Sequence, residues 1–200
     1  MKFQEYLVQV QKDSQYQKFV KENPEAYLCA AFFMIDYKDK HNESSIDYFN
    51  PKDSKVMTFT IEKEIKARPL DALQEGLIPK KMQEISQIEI EQLQGIIVDE
   101  MHNRTITGDI QKVICILQNL NGKLVWHCTA FLTGLNLIKT DIEDESKSVI
   151  FMEKVSFMDL LKAPADIKKE LQEKLKKAKK SENHPADKEK AEGNNEGFIG

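Results

Sequence analysis

Apolar residues recur along the chain in two patterns, one typical of helices and one typical of strands. Between residues 2 and 22 they stand three or four positions apart, which predicts an amphipathic helix ending before Asn23-Pro24. Apolar runs separated by polar turns then predict strands. The predicted strands lie at 26–36, 44–49, 55–62, 123–133, 136–142 and 148–155. A further helix is expected at 108–119, with Thr107 as its N-cap.

The two strand-rich stretches are similar in order and in sequence. AYLCAAFF at 26–33 aligns with VWHCTAFL at 125–132, and DSKVMTF at 53–59 aligns with ESKSVIF at 145–151. Such internal similarity indicates that one supersecondary unit occurs twice; the alternative is chance similarity between amphipathic strands. We therefore predict an α+β fold, in which two related helix-plus-three-strand modules form a curved antiparallel sheet with helices on one face.

These units divide the chain into five predicted segments. The segments are a first module at 1–62, a helical connector at 63–106, a second module at 107–162, a Lys-rich helix at 163–182 and a disordered tail at 183–200. Within the connector, Ser86 to Glu89 has the form of a capping box for a helix. That helix would place Ile90, Leu93, Ile97 and Met101 toward the core. The tail has almost nothing apolar to bury, which is typical of disorder.

Composition and charge argue against several classes of function. The net charge of -4 gives no general attraction to nucleic acid or to anionic membranes. No run approaches the roughly 20 apolar residues of a transmembrane helix, and the N-terminus lacks the apolar core of a secretory signal. Three cysteines without CxxC spacing favour reduced, buried thiols. We therefore expect a cytoplasmic protein without a cofactor or a metal site.

The stretch LVWHCTAFL at 124–132 places His127 next to Cys128, a pair that resembles a nucleophile with its base. Side chains alternate between the two faces of a strand, so these two are expected to point apart and to form neither a dyad nor a metal site. Cys128 shares its side with apolar residues and is expected to be an inert core thiol. Cys29 is expected on the same helix-facing side of the first module.

The other side of the predicted strands supplies the candidate binding surface. It is apolar in both modules, so another part of the chain, a partner or a ligand is expected to cover it. The candidate residues are Phe32, Met34, Val125, His127 and Phe131. For His127 the alternative is a half-exposed histidine with no role beyond the sheet.

Two charged stretches offer weaker candidates. The acidic turn DIEDES at 141–146 is expected to be solvated, because it lacks the EF-hand pattern and its glycine. The Lys-rich helix could contact a membrane surface weakly, but without aromatic residues or arginine it predicts no specific recognition of nucleic acid. Its candidate residues are Lys168, Lys169, Lys176, Lys177, Lys179 and Lys180.

The repeated order of helix, long strand, strand, polar turn and strand resembles tandem PepSY-type modules, and more loosely the cystatin-like arrangement. The residues behind this are DIQKVICILQNLNGKLVWHCTAFLTGLNLIKTDIEDESKSVIFME at 109–153 and, less closely, YLCAAFFMID with SSIDYFNPKDSKVMTFTIE. Asp141, followed by Glu143 to Ser146, is similar to the strand that ends at an Asp before a turn in such modules. The resemblance implies a non-catalytic binding or inhibitory module.

Three hypotheses for function follow. The first is a non-enzymatic binding or adaptor protein that uses the apolar sheet face to hold an unidentified protein, a small ligand or a second copy of the chain. The second is an enzyme with a small-ligand cavity between sheet and helices, in which His127 or Asp36 acts as acid or base. The third is a peripheral protein whose Lys-rich tail binds anionic surfaces with an affinity that falls with salt.

Overall fold

Three helices and one eight-stranded antiparallel sheet make up the part of the chain described by the computed structural model, residues 2–70 and 78–156. The helices are α1 (Phe3–Lys12), α2 (Ser14–Glu22) and α3 (Gln92–Asn103). The strands are β1 (Tyr27–Asp36), β2 (Glu43–Asn50), β3 (Lys55–Ile61), β4 (Ile65–Leu70), β5 (Ile110–Leu120), β6 (Lys123–Leu132), β7 (Asn136–Glu143) and β8 (Val149–Ser156). The strand order is β4-β3-β2-β1-β5-β6-β7-β8. The α+β class is thus confirmed, and the predicted Lys-rich helix and tail lie outside the described residues.

The long helix predicted at 2–22 is broken into α1 and α2 at Asp13. This residue has an extended backbone (φ -74°, ψ 143°), and its side chain accepts a hydrogen bond from the amide of Gln15 at 2.8 Å. Asp13 is therefore the N-cap of α2, since it satisfies an amide that the new helix start would leave unpaired. The predicted end before Asn23-Pro24 is confirmed, because α2 ends at Glu22.

The helix predicted at 108–119 is wrong, because this segment forms β5. Val113, Cys115 and Leu117 point toward the core, whereas Ile114 and Ile116 alternate with them on the other face. A run that is apolar on both faces does not distinguish a helix from a strand by its periodicity. Its β-branched residues favour the extended form. Thr107 accordingly caps no helix.

β4 lies within the segment predicted as a helical connector, so each half of the described chain has four strands instead of three. It pairs with β3 alone, at the edge of the sheet, where Pro69 is tolerated because one side of an edge strand needs no ladder hydrogen bonds. The sequence alignment matched β1 with β6. The strand order instead places β1 and β5 in equivalent positions, side by side at the centre of the sheet.

The predicted helix after Ser86 is confirmed as α3, with Leu93, Ile97 and Met101 buried. The predicted capping box is wrong, because α3 begins only at Gln92. The hydroxyl of Ser86 instead donates a hydrogen bond to the Asp144 carboxylate. None of the described helices is long and apolar enough to cross a membrane.

α1, α2 and α3 all pack against one face of the sheet. Their buried residues share a cluster with Phe33, Phe59 and Trp126 from the strands. A bulge between Leu28 and Ala30 turns Cys29 to the opposite face, so the expectation that Cys29 faces the helices is wrong. There it belongs to a smaller cluster of strand residues, whose buried members are Cys29, Ala30, Phe49 and Val56.

The acidic turn after β7 contains a buried carboxylate. Asp144 is only 3% exposed, which corrects the expectation of a fully solvated turn. It accepts hydrogen bonds from the indole N–H of Trp126 at 2.8 Å and from the amide of Gln87 at 2.7 Å, besides the bond from Ser86. Buried carboxylates need such donors, because an unpaired charge would be costly to bury. Asp144 thereby fastens the chain before α3 to the sheet.

Candidate functional site

The sheet has a second face, which points away from α1, α2 and α3. The strand register aligns one row of side chains across this face, called here the central row. Neighbouring residues of this central row are direct partners on adjacent strands, and side chains of paired residues lie on the same face. Its members, from β2 to β8, are Ser45, Phe32, Ile116, His127, Asp141 and Phe151. A His–Asp pair thus stands between apolar and aromatic neighbours.

His127 and Asp141 form the polar centre of the row. His127 Nδ1 lies 2.8 Å from Asp141 Oδ1, and both side chains are about one-third exposed. An ionised carboxylate can only accept hydrogen bonds, so the Nδ1 atom of His127 carries the proton. Nε2 of the neutral ring is then an acceptor, and in the protonated ring it is a donor. The pair can therefore meet a ligand with one directional hydrogen bond.

The pairing of these two residues follows from the β6–β7 hairpin. The turn leaves residues 133–135 between the strands, and Leu132 pairs with Asn136. Pairing continues without a bulge from there to His127 and Asp141. A shift of one residue would turn the whole strand over, and the buried position of Trp126 beside His127 on β6 prevents this.

All five residues predicted as the binding surface lie on the second face. Phe32 and His127 belong to the central row. Met34 pairs with Ile114, Phe131 pairs with Leu137, and Val125 pairs with Glu143 on that same face. Met34 and Val125 are buried, whereas Phe32, His127 and Phe131 are half-buried. The last three therefore present accessible surface, and their role in binding stays a prediction.

Four members of the central row were missed from the sequence: Ser45, Ile116, Asp141 and Phe151. Ile116 was hidden by the prediction of a helix at 108–119. Asp141 was assigned to the acidic turn, although counting outward from the turn at 133–135 would have paired it with His127. Phe151 is 45% exposed. It pairs with Asp141 because the β7–β8 register shifts by one residue at a bulge between Asp141 and Ile142, and Ile142 pairs with Val149.

The one side-chain hydrogen bond described for His127 joins it to the carboxylate of Asp141. This bond involves no hydroxyl or thiol, and residues 2–70 and 78–156 contain no group of three or more His, Cys, Asp or Glu that could hold a metal ion. The helices pack against the opposite face, beside Trp126 and Cys128. His127 therefore lines no cavity between these helices and the sheet.

Asp36, the other candidate acid or base, is held in an ion pair. Its carboxylate lies 2.9 Å from Lys112 Nζ and accepts hydrogen bonds from the amides of Lys38 and Asp39. Burial opposes ionisation, but the Asp39 and Lys38 amides and the Lys112 ammonium outweigh it and lower the pKa of Asp36. Asp36 therefore closes the turn after β1 as a fixed carboxylate, joining β1 to β5.

A search of solved structures finds a similar fold in a putative lipoprotein from Clostridium difficile. The likeness has a TM-score of 0.50 and covers 73% of this chain and 97% of that chain. The sequences are 11% identical, so the likeness concerns the fold alone. No protein-family model matches the chain, and no curated protein matches it by sequence. The PepSY-type resemblance accordingly stays a prediction.

Proposed function

We propose that this protein is a non-enzymatic binding module that holds an apolar segment of a partner protein on its second face. The observation that carries the proposal is the central row, in which the His127–Asp141 pair is flanked by Ile116 and Phe151. Apolar flanks supply contact area, and a small number of placed polar groups fix orientation, as in most binding sites. The resemblance to PepSY-type modules also favours binding over catalysis.

The exposure of the apolar residues supports this proposal. Phe151 is 45% exposed and Ile150 beside it is 55% exposed, while Ile116 and Phe131 are half-buried. Aromatic and aliphatic side chains that adjoin one another at a surface are typical of interaction sites. A partner that covered them would gain roughly 25 cal/mol for each Å² of apolar surface removed from water.

The His127–Asp141 pair defines the chemistry of the partner segment. The neutral ring presents Nε2 as an acceptor, so we expect an amide N–H or a hydroxyl of the partner to donate to it. Removal of the imidazole would leave that donor without a partner, which costs about 1–3 kcal/mol at a buried interface. The pair thus supplies orientation, and the apolar row supplies most of the affinity.

Affinity capture from lysate with quantitative mass spectrometry tests this proposal with matched variants. Phe151→Arg changes the row, whereas Val8→Arg changes a helix position of nearly equal exposure, 45% against 43%. We expect at least one protein to be held by the full chain and by Val8→Arg, but lost from Phe151→Arg and weakened in His127→Ala. Equal recovery by all four proteins would contradict the proposal.

Salt separates this proposal from electrostatic binding through the Lys-rich segment. A partner held mainly by apolar contacts should be retained when salt is raised, because screening acts on charges. A captured protein that is released by salt would instead favour electrostatic binding through the Lys-rich segment. The same protein should then also be lost when four lysines of that segment are replaced by Gln: Lys176, Lys177, Lys179 and Lys180. If a second copy of this chain is recovered with the full chain but not with Phe151→Arg, the partner is another copy of the same protein, and the second face forms a homodimer interface.

A further inference from the structure

Two of the three cysteines face each other across the β5–β6 pair. Cys115 and Cys128 are direct Cα partners in the antiparallel register. Such partners have Cα atoms about 4.5–5.5 Å apart, which lies inside the range of about 4.4–6.8 Å that disulfides span. The backbone is therefore already placed for a covalent bond between these two residues.

The two side chains also meet within the core. Cys128 Sγ lies 2.7 Å from Cys115 Sγ, which is closer than two non-bonded sulfur atoms settle. Both residues are almost fully buried on the helix side of the sheet, where Leu117 and Trp126 occupy the next pair of positions. Bond formation would therefore require only a small movement of the side chains.

The third cysteine is placed where it cannot compete. Cys29 lies on the second face, and its thiol donates to the backbone carbonyl of Asp47 at 3.3 Å. The sheet itself separates Cys29 from the other two sulfur atoms. We propose that Cys115 and Cys128 form a structural disulfide, linking β5 to β6, when the chain folds in the presence of a disulfide oxidant.

The reaction is a thiol–disulfide exchange with an oxidant such as oxidised glutathione. One cysteine thiolate attacks a sulfur of the oxidant and releases one thiol, and the second cysteine then displaces the other thiol from the mixed disulfide. The protein loses two electrons and two protons, which the oxidant gains as two thiols. In a reducing compartment the same residues would remain thiols.

The bond is expected to form before the core closes. Burial and the neighbouring Cys115 raise the pKa of the Cys128 thiol, so the folded protein contains little of the reactive thiolate. β5 and β6 are adjacent in sequence and are joined by the turn at Asn121-Gly122. The hairpin can therefore align the two thiols before the helices pack against this face of the sheet.

Refolding of the full chain tests the proposal. The denatured, reduced protein is refolded either in a glutathione redox buffer or in excess reductant, then denatured, alkylated and mapped by mass spectrometry. We expect a linked Cys115–Cys128 peptide and an alkylated Cys29 after the redox buffer, and three alkylated cysteines after the reductant. Three alkylated cysteines in both samples, or a link that includes Cys29, would overturn the proposal.

Thermal unfolding provides a second readout. Closing a short loop in the unfolded chain should raise the melting temperature of the oxidised protein by about 5 °C or more over the reduced protein. Cys29→Ala should keep this difference, and Cys115→Ala or Cys128→Ala should abolish it. An oxidised protein that melts at or below the reduced one would show that the bond does not stabilise this fold.

Discussion

The buried Asp144 carboxylate provides the sharpest test of how the segment before α3 is held. In Asp144→Asn one carboxylate oxygen becomes an amide NH₂ group, which can no longer accept a hydrogen bond. If the remaining oxygen still accepts the hydrogen bond from the indole N–H of Trp126, the new NH₂ group faces the backbone amide of Gln87. Both of these groups are hydrogen-bond donors, so no bond forms between them. The variant therefore loses the charge and leaves the part-buried amide of Gln87 without its acceptor.

The expected cost follows from these contacts. A hydrogen bond to a charged group contributes about 1.5–3 kcal/mol, and an unsatisfied buried donor costs about 1–3 kcal/mol. Since the contributions overlap, we expect the free energy of unfolding of Asp144→Asn to fall by about 3 kcal/mol. With a urea dependence of about 2 kcal/mol per molar, the midpoint would fall by about 1.5 M.

Urea unfolding followed by tryptophan fluorescence measures this change at the site itself. Trp126 is the single tryptophan of the chain and is fully buried, so its emission reports on the environment of Asp144. The matched control is Glu145→Gln, which removes a charge from the neighbouring exposed position and should change stability by less than about 0.5 kcal/mol. Equal stability of the two variants would refute the proposed anchoring.

Three further predictions concern other parts of the fold. Phe59→Ala removes a fully buried ring that contacts the rings of Tyr16 and Phe19; urea unfolding should show a loss of about 3–5 kcal/mol, and a loss below 1 kcal/mol would contradict this packing. Asp36→Asn should destabilise by about 1–2 kcal/mol near neutral pH. Because the folded pKa of Asp36 is lowered from 3.8, this difference should be present above pH ~4 and disappear as the pH falls through the folded pKa; a difference that persists in acid would exclude the ion pair as its source. Gly122→Ala should lower the melting temperature by about 2–4 °C, because Gly122 has φ +91° in the turn after β5; an unchanged melting temperature would show that the turn relaxes freely.

Strands with one apolar face could be predicted closely from the sequence. The six predicted strands agree with β1, β2, β3, β6, β7 and β8 to within one residue at each end. The opposite directions of His127 and Cys128 could also be predicted, because alternation along a strand is a local property. Cys128 is indeed buried in the core, whereas His127 lies on the second face.

The features that were missed depend on contacts distant in sequence. β5 is apolar on both faces because it is central in the sheet, and its pattern alone does not reveal that position. The burial of Asp144 depends on Ser86 and Trp126, which lie 58 and 18 positions away. The bulge that turns Cys29 away from the helices is likewise visible only in the pairing of β1 with β2.

Site-specific photo-crosslinking tests most directly whether the second face binds a partner. A photoreactive phenylalanine analogue is placed at position 151, in the central row, and in a separate protein at position 8, on α1, where the exposure is similar. Proposed binding on the second face predicts a covalent adduct with a single partner from position 151, absent from position 8 and reduced by His127→Ala. No adduct from position 151, or the same adducts from both positions, would contradict it.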